Sequence, residues 1–465
     1  MLEKQTTTLP VSIFRAYDIR GIVGDTLTEE SVFLIGKALG SLVRDENEKQ
    51  IIVARDGRFS GPVLIKALCD GILSVGCDVL DLGMVPTPLL YYAAHAFEGH
   101  SGIMLTGSHN PPEYNGLKMV VKGTTLAEQA IQELYQRIVE KRFYQDHAGS
   151  RYELDIVDQY IDHLCFNIRL KRRLKIVIDA GNGVTGMIAP QLFRELGCDV
   201  HELFCEVDGN FPNHHADPSV VANLQDLISV VRETKADVGL AFDGDGDRLG
   251  VVTNQGDIIW PDRLLMLYAQ SLLSARPHAK IIYDVKCTNH LDKQIRKLGG
   301  EPIMWKTGHS LIKAKMSEVN AELAGEMSGH FFFKDRWHGG DDALYAGARL
   351  LEILSQHQED SSTLFAAIPN SINTPELKVF IAEEDKFSLM QALIDQAHFK
   401  EASDVMTIDG LRVNFAQGWG LVRPSNTSPY LVLRFEAINQ AILENIQQLF
   451  KTWMLSVRSD LVLPF

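Results

Sequence analysis

Short apolar runs recur along the chain, and each breaks off into a cluster of glycine and polar residues. Ile51-Ile52-Val53-Ala54 runs into Arg55-Asp56-Gly57, Val75 to Leu80 forms a second run, and Ser101 to Thr106 a third. Runs of this length, bounded by turn formers, predict buried strands with helices between them. The pattern then returns twice. Leu174 to Asp179, Leu196 to Val200 and Asp237 to Phe242 repeat it, as do Lys280 to Lys286, Leu298 to Trp305 and a run near Ala321 to Ala324. Such self-similarity predicts three copies of one supersecondary unit. Ahead of the first copy, Thr28 and Ser31 open an apolar-periodic helix reaching about Leu42.

After about Thr363 the style changes. A strand from Glu376 to Ile381 is followed by a helix from Lys386. Strands at Leu411 to Phe415 and Tyr430 to Phe435 then flank a Gly418-Trp419-Gly420 turn, and an amphipathic helix from about Ala441 to Val457 closes the chain. Strands alternating with helices imply mostly parallel sheets, whose binding residues gather at strand carboxyl ends. The fold class is therefore α/β, with three similar domains built on mixed or parallel sheets (1–152, 153–256 and 257–367) and a smaller C-terminal α+β domain (368–465).

The third run of each copy delivers the most polar cluster, so three equivalent loops are placed to meet. The first is Thr106-Gly107-Ser108-His109-Asn110-Pro111-Pro112, followed by Lys118. Its two prolines forbid helix and predict a stiff loop that presents Ser108 at a strand end, with His109 as a donor and Lys118 as a cation. A serine so placed suits carrying or receiving a phosphoryl group. The second loop is Asp243-Gly244-Asp245-Gly246-Asp247-Arg248. Three carboxylates separated only by glycine repel one another unless a cation neutralises them, and hard oxygen ligands fit Mg²⁺. An EF-hand reading fails, because its sixth position falls on Arg248 and its twelfth on Asn254. The third loop, Gly325-Glu326-Met327-Ser328-Gly329-His330, sets an acceptor and a donor two residues apart, as vicinal sugar hydroxyls require. Near the end of the chain, Arg423-Pro424-Ser425-Asn426-Thr427-Ser428 offers a guanidinium, hydroxyls and an amide for an anion.

Composition narrows the partners. Asp plus Glu number 60 against 45 Lys plus Arg, and a net charge of −15 argues against nucleic acid or an anionic membrane surface. An anionic substrate then needs a local basic pocket. The six cysteines form no C-x-x-C pair and fit thiols of a reducing compartment. Met1 to Leu9 lacks an apolar signal core and no later run spans a bilayer, so the expected location is cytoplasmic.

Taken together, the four clusters in this order resemble the α-D-phosphohexomutase superfamily, most closely its bacterial phosphomannomutase/phosphoglucomutase branch, over essentially the whole chain. Thr106 to Pro111 resembles the family's phosphoserine loop, Asp243 to Arg248 its Mg²⁺ loop, Gly325 to His330 its sugar-recognition loop and Arg423 to Thr427 its phosphate-binding loop. Phe14 to Gly21 and Met327 bear on the branch, because phosphoglucosamine mutases tend to open with Gly-Thr-Asp-Gly-Ile-Arg-Gly and to carry Gln at the Met327 position.

The resemblance implies four domains around a central cleft and one Mg²⁺ per chain on Ser108, Asp243, Asp245 and Asp247. It implies that phosphorylated Ser108 exchanges its phosphoryl group with O1 or O6 of a hexose phosphate through a hexose 1,6-bisphosphate. Glu326, Ser328 and His330 then hold the sugar, and Arg423, Ser425, Asn426 and Thr427 the phosphate that is not reacting. Tyr17 and Lys286 are further substrate contacts, and Arg20, Lys118, Arg248 and His309 handle charge and protons, with Lys118 and His109 both open as the general base. Hexose phosphates are the expected partners, with no nucleic acid, membrane or obligatory protein partner. A dual glucose and mannose specificity is expected; phosphoglucosamine mutase, a metal-dependent sugar phosphatase and a non-enzymatic sugar-phosphate sensor are the alternatives.

Overall fold

The computed structural model describes residues 9–97, 100–426 and 428–465. Four sheets follow one another along the chain. In the first, Gln50–Arg55 lies between Asp78–Met84 and Gly102–Leu105, all parallel. Tyr114–Val121 then returns antiparallel to Gly102–Leu105, and Ile19–Ile22 adds outside it. The second sheet repeats this arrangement with Lys175–Asp179 between Asp199–Leu203 and Val238–Phe242, followed by antiparallel Leu249–Thr253. The third does so with Lys280–Asp284 between Glu301–Trp305 and Leu323–Gly325, followed by antiparallel Phe331–Phe333. The last sheet is antiparallel throughout, Tyr430–Ala437 pairing with Gly418–Pro424 and Leu377–Phe380.

The threefold repeat therefore holds at the level of strand order. The sheets are mixed, and the three polar clusters are hairpin turns between a parallel strand and its antiparallel return, at the strand ends where they were expected. In each copy the second strand also begins later than its apolar run, at Asp78, Asp199 and Glu301. The preceding Gly76, Gly197 and Gly299 have φ of 74°, 94° and 81°, and turn the chain from helix to strand in a conformation that side chains resist. The helix Glu29–Asp45 starts as read, with Thr28 and Ser31 capping it reciprocally.

Gly418-Trp419-Gly420 is not a turn but the start of the strand Gly418–Pro424. Its glycines serve close packing. A Cβ on Gly420 would lie 2.5 Å from the ring of Phe450, on the helix Gln440–Val457. Trp419 between them is wholly buried, with the Arg412 guanidinium 3.8 Å from its ring centroid.

One apolar core runs without a break from Ile52 through Tyr160, Leu265 and Tyr345 to Ile368, joining the first three sheets. A shared core of this kind holds the three hairpin turns at one place. The last sheet has its own core and docks through Val285, Trp419 and Leu421.

Candidate active site

Ser108 is buried and has a φ of 49°, a left-handed conformation that costs energy in any residue but glycine. Two residues outside the loop hold it there. Asp56 Oδ2 accepts hydrogen bonds from Thr106 Oγ1 at 2.8 Å, the Gly107 amide at 3.0 Å and Arg58 Nε at 3.1 Å. The Arg58 guanidinium, 1% exposed, donates to the carbonyls of Ser108, Asn110, Pro111 and Tyr114 at 2.6–3.0 Å. Sequence reasoning passed over both residues. The signal was present as the polar ending of the first copy's first strand, the position equivalent to no catalytic loop. Arg20 reaches the same turn, donating to the Gly107 carbonyl at 3.0 Å and to Asn110, while Asp18 pairs with it.

Ser108 Oγ lies 3.0 Å from Asp243 Oδ2 and 3.2 Å from His109 Nδ1, so the first two hairpin turns meet at the serine. Asp243 Oδ1 accepts the backbone N–H groups of Gly246, Asp247 and Arg248, which folds the aspartate loop around it. Asp245 Oδ2 accepts from Thr87 Oγ1 at 2.5 Å and Lys118 Nζ at 2.7 Å, and Lys118 also pairs with Asp247. All three carboxylates are completely buried. Burial and then the neighbouring Asp247 and Asp245 push the Asp243 carboxyl well above the usual range. Burial acts the same way on Asp245 and Asp247 and is the largest single effect, but Lys118 with Thr87 on Asp245, and Lys118 with His330 and Arg248 on Asp247, together hold both below the usual range.

Counter-charge thus comes from two cations, Lys118 against Asp245 and Asp247 and Arg248, its Nε 3.9 Å from Asp243 Oδ2, against Asp243. Burial works against the Lys118 ammonium, yet the carboxylates of Asp245, Asp247 and Asp243 carry its pKa above normal. His109 is the opposite case: burial, then Arg248, push its imidazole well below the usual range and keep it neutral. Asp245 Oδ1 and Asp247 Oδ1 are buried without a hydrogen-bond partner, and the three aspartates place one oxygen each within 4.8 Å of the others. A hard divalent cation fits that set.

The third turn joins through Arg248, which bridges to His330 in the backbone and donates from Nε to His330 Nε2 at 3.1 Å. The sequence assigned His330 to the sugar, whereas here the ring stands between Arg248 and Asp341, its Nδ1 being 3.2 Å from Asp341 Oδ2. Glu326 is buried, which raises its pKa, and its Oε1 accepts the Gly308 amide at 2.6 Å beside His309. Ser328 is half-buried on the same turn.

At the other end of the cleft, Tyr17 of the first unit ties the third to the fourth. Its hydroxyl donates to the Thr307 carbonyl at 2.6 Å and accepts from Asn426. Asp409 Oδ2 accepts the Thr307 amide at 3.0 Å and Arg423 Nε at 2.9 Å. Arg423 is 5% exposed and its Nη2 has no hydrogen-bond partner among the described residues, which leaves a donor for an anion. Ser425 Oγ is 2.8 Å from Ser428 Oγ, and Lys286 Nζ is 2.6 Å from Glu376 Oε1. Asp409 and Glu376, which aim these two cations, carried no sequence signal because each lies outside the motifs. Thr427 lies outside the described residues.

The chain matches four domain families in order: phosphoglucomutase/phosphomannomutase alpha/beta/alpha domain I over residues 11–145, domain II over 158–256, domain III over 260–372 and the C-terminal domain over 376–452. It is 56% identical over 465 residues to a phosphomannomutase/phosphoglucomutase of Pseudomonas aeruginosa, covering 100% of both chains. A phosphoglucomutase of Neisseria gonorrhoeae is 54% identical over 442 residues, 94% of this chain and 96% of that protein. The crystal structure of a phosphoglucomutase/phosphomannomutase family protein from Burkholderia thailandensis superimposes with a TM-score of 0.94 at 52% identity, covering 98% of this chain and 100% of that one.

Proposed function

The chain belongs to the phosphoglucomutase/phosphomannomutase family of the α-D-phosphohexomutases, and from that membership we propose that it interconverts the 1- and 6-phosphates of glucose and mannose at Ser108. One observation carries the reading. A buried serine hydroxyl sits 3.0 Å from a carboxylate of a three-aspartate loop, in a cleft whose far end holds the unpartnered Nη2 of Arg423. A phosphatase needs one phosphate site and a sensor needs no reactive serine; an end-for-end exchange needs both ends.

In this reading Ser108 is phosphorylated at rest. The phosphoryl group passes to O6 or O1 of the sugar, the Ser108 Oγ–P bond breaking as the new O–P bond forms, and a hexose 1,6-bisphosphate results. The bisphosphate turns over, and its other phosphoryl group returns to Ser108 Oγ. In the first half the attacking sugar hydroxyl gives up its proton to a base on the sugar side as Ser108 Oγ gains one. In the second half Ser108 Oγ gives up its proton, for which neutral His109, 3.2 Å away, is the acceptor, and the sugar oxygen regains one. Arg20, Arg248 and Lys118 stand as fixed cations where charge develops, and His309 handles protons on the sugar side. Glu326 and Ser328 hold sugar hydroxyls, while Arg423, Ser425, Asn426 and Thr427, with Tyr17 and Lys286, hold the idle phosphate and so position the reacting oxygen. Asp243, Asp245, Asp247 and Ser108 are the residues that would hold Mg²⁺, which when bound withdraws charge from the phosphoryl group.

The division at 1–152, 153–256, 257–367 and 368–465 and a cytoplasmic location belong to the same proposal. Among the described residues, no helix is long and apolar enough to cross a membrane. Coupled assays with glucose 1-phosphate, mannose 1-phosphate and glucosamine 1-phosphate test the assignment, with intact mass before and after substrate. Turnover of the first two, and a phosphate adduct that Ser108→Ala abolishes, is the expected result. Faster turnover of the amino sugar would move the chain to another branch.

A further inference from the structure

We propose that Asp341, which stands behind the cleft, is a positioning residue that fixes the rings of His309 and His330 and, through His330, the guanidinium of Arg248. Asp341 is completely buried. Its Oδ1 accepts from Lys313 Nζ at 2.9 Å, and that ammonium lies 4.0 Å from the centroid of the Tyr91 ring, so the carboxylate is held from outside. Its Oδ2 is 3.2 Å from His330 Nδ1 and 3.5 Å from His309 Nδ1. None of these three atoms makes a hydrogen bond of good geometry among the described residues, so they face one another unsatisfied.

Three buried polar atoms facing one another are costly unless protons lie between them. The arrangement is satisfied only if each ring carries its proton on Nδ1, aimed at Asp341, and leaves Nε2 bare. For His330 the far side agrees, because Nε2 is the atom that accepts the Arg248 N–H. The two rings stack with centroids 5.6 Å apart and planes 22° from parallel, so one carboxylate orients both. Arg248 in turn faces Asp243, and Asp243 faces Ser108 Oγ. A bare Nε2 on His309 then offers the cleft an acceptor on a ring that cannot rotate.

Asp247 is the other acid at this point, its Oδ1 lying 3.6 Å from His330 Nδ1, and Asp247, His330 and Asp341 bring ligating atoms within 4.8 Å of one another. A cation bound to Nδ1 would force the proton onto Nε2, against the N–H of Arg248, donor against donor. That conflict favours a positioning carboxylate over a second metal site.

The kinetic arm of the test rests on the mutase reading above; the spectroscopic arm does not. In the full-length enzyme labelled with ¹⁵N-histidine, two-bond ¹H–¹⁵N spectra read the tautomer of each ring. His309 and His330 are expected as Nδ1–H in the wild type, and Nε2–H on either ring overturns the proposal without any variant. Asp341→Asn is expected to lower kcat for glucose 1-phosphate by ~10–100-fold with KM changed less than about threefold, and to mix the two tautomers. Asp341→Glu is expected to restore the Nδ1–H signature. A fall in kcat with both tautomers intact would leave Asp341 a merely structural residue. Uptake of a second Zn²⁺ per chain under saturating Mg²⁺, lost in Asp341→Asn, would replace the proposal with a metal site.

Discussion

Arg58 donates from Nη2 to the backbone carbonyl of Ser108 at 2.8 Å, so a buried guanidinium from the neighbouring strand end holds the serine's turn together with the loop's own prolines. Pro111 is itself held, its carbonyl accepting Arg58 Nη1 at 2.6 Å. Arg58→Met leaves the buried Asp56 carboxylate without its counter-charge and takes a donor from the carbonyls of Ser108, Asn110, Pro111 and Tyr114. Denaturant unfolding is expected to show a loss of ~3–5 kcal/mol, with Ser108 phosphorylation by glucose 1,6-bisphosphate slowed well beyond what the stability loss explains. Full phosphorylation rate in a folded Arg58→Met protein would remove Arg58 from the account.

Lys118 neutralises the aspartate loop when no cation is present, since its ammonium joins Asp245 and Asp247. In Lys118→Met the loop then depends on a bound divalent ion. Thermal melting in chelator is expected to show a destabilisation of ~3 kcal/mol relative to wild type, largely reversed by Mg²⁺. Turnover stays low even with Mg²⁺, by about 100-fold, because a fixed charge at the phosphoryl group is gone. Equal Mg²⁺ dependence of the two melting points would show that Lys118 is not the counter-ion.

Arg423 holds Asp409 with Nε and keeps Nη2 for an anion. Arg423→Ala should raise KM for hexose phosphates by about 10–100-fold. Hydrolysis of a small phosphate ester at Ser108 should scarcely change, because only the idle phosphate loses its site. Steady-state kinetics on both substrates decide it, and parallel losses would place Arg423 at the chemistry instead.

Asp342 accepts the Tyr345 amide at the start of the helix Ala343–Gln356 and hydrogen bonds from Tyr160 and Trp337, yet burial pushes its carboxyl up to about 6. A folded pKa above the unfolded value means that the proton binds better in the folded state. Stability from this group is therefore complete below about pH 4 and declines as the pH rises through 6, by about 2–3 kcal/mol at the limit. Asp342→Asn keeps the cap but cannot ionise. Its stability relative to wild type is expected to improve from pH 4 to about pH 6.5 and then level off in urea titrations, and a flat difference across that window would show that Asp342 ionises freely.

The motif residues were legible because each is a local fact. Alternation of apolar runs with glycine clusters marks strand ends, and three carboxylates spaced by glycine announce a cation whatever surrounds them. The same reading named His330 for the sugar and did not foresee that its ring stands between Arg248 and Asp341. It also gave Gly418-Trp419-Gly420 a turn where a helix presses on a strand. Asp56, Arg58, Asp409, Glu376 and Asp341 went unseen, since none is unusual among its sequence neighbours.

What the chain determined by itself is the order and chemistry of its loops: a serine after one strand, aspartates after the equivalent strand of a second copy, a sugar turn after that of a third. What only the tertiary structure decided is pairing. Lys118 meets Asp245 from 127 positions away, and Tyr17 meets Asn426 from 409. Partners of that kind are chosen by a shared core that stacks three sheets and by the small apolar contact of Val285, Trp419 and Leu421 that docks the fourth. A buried charge is defined by what lies against it in space, and the residue types along the chain carry no record of that until the sheets have packed.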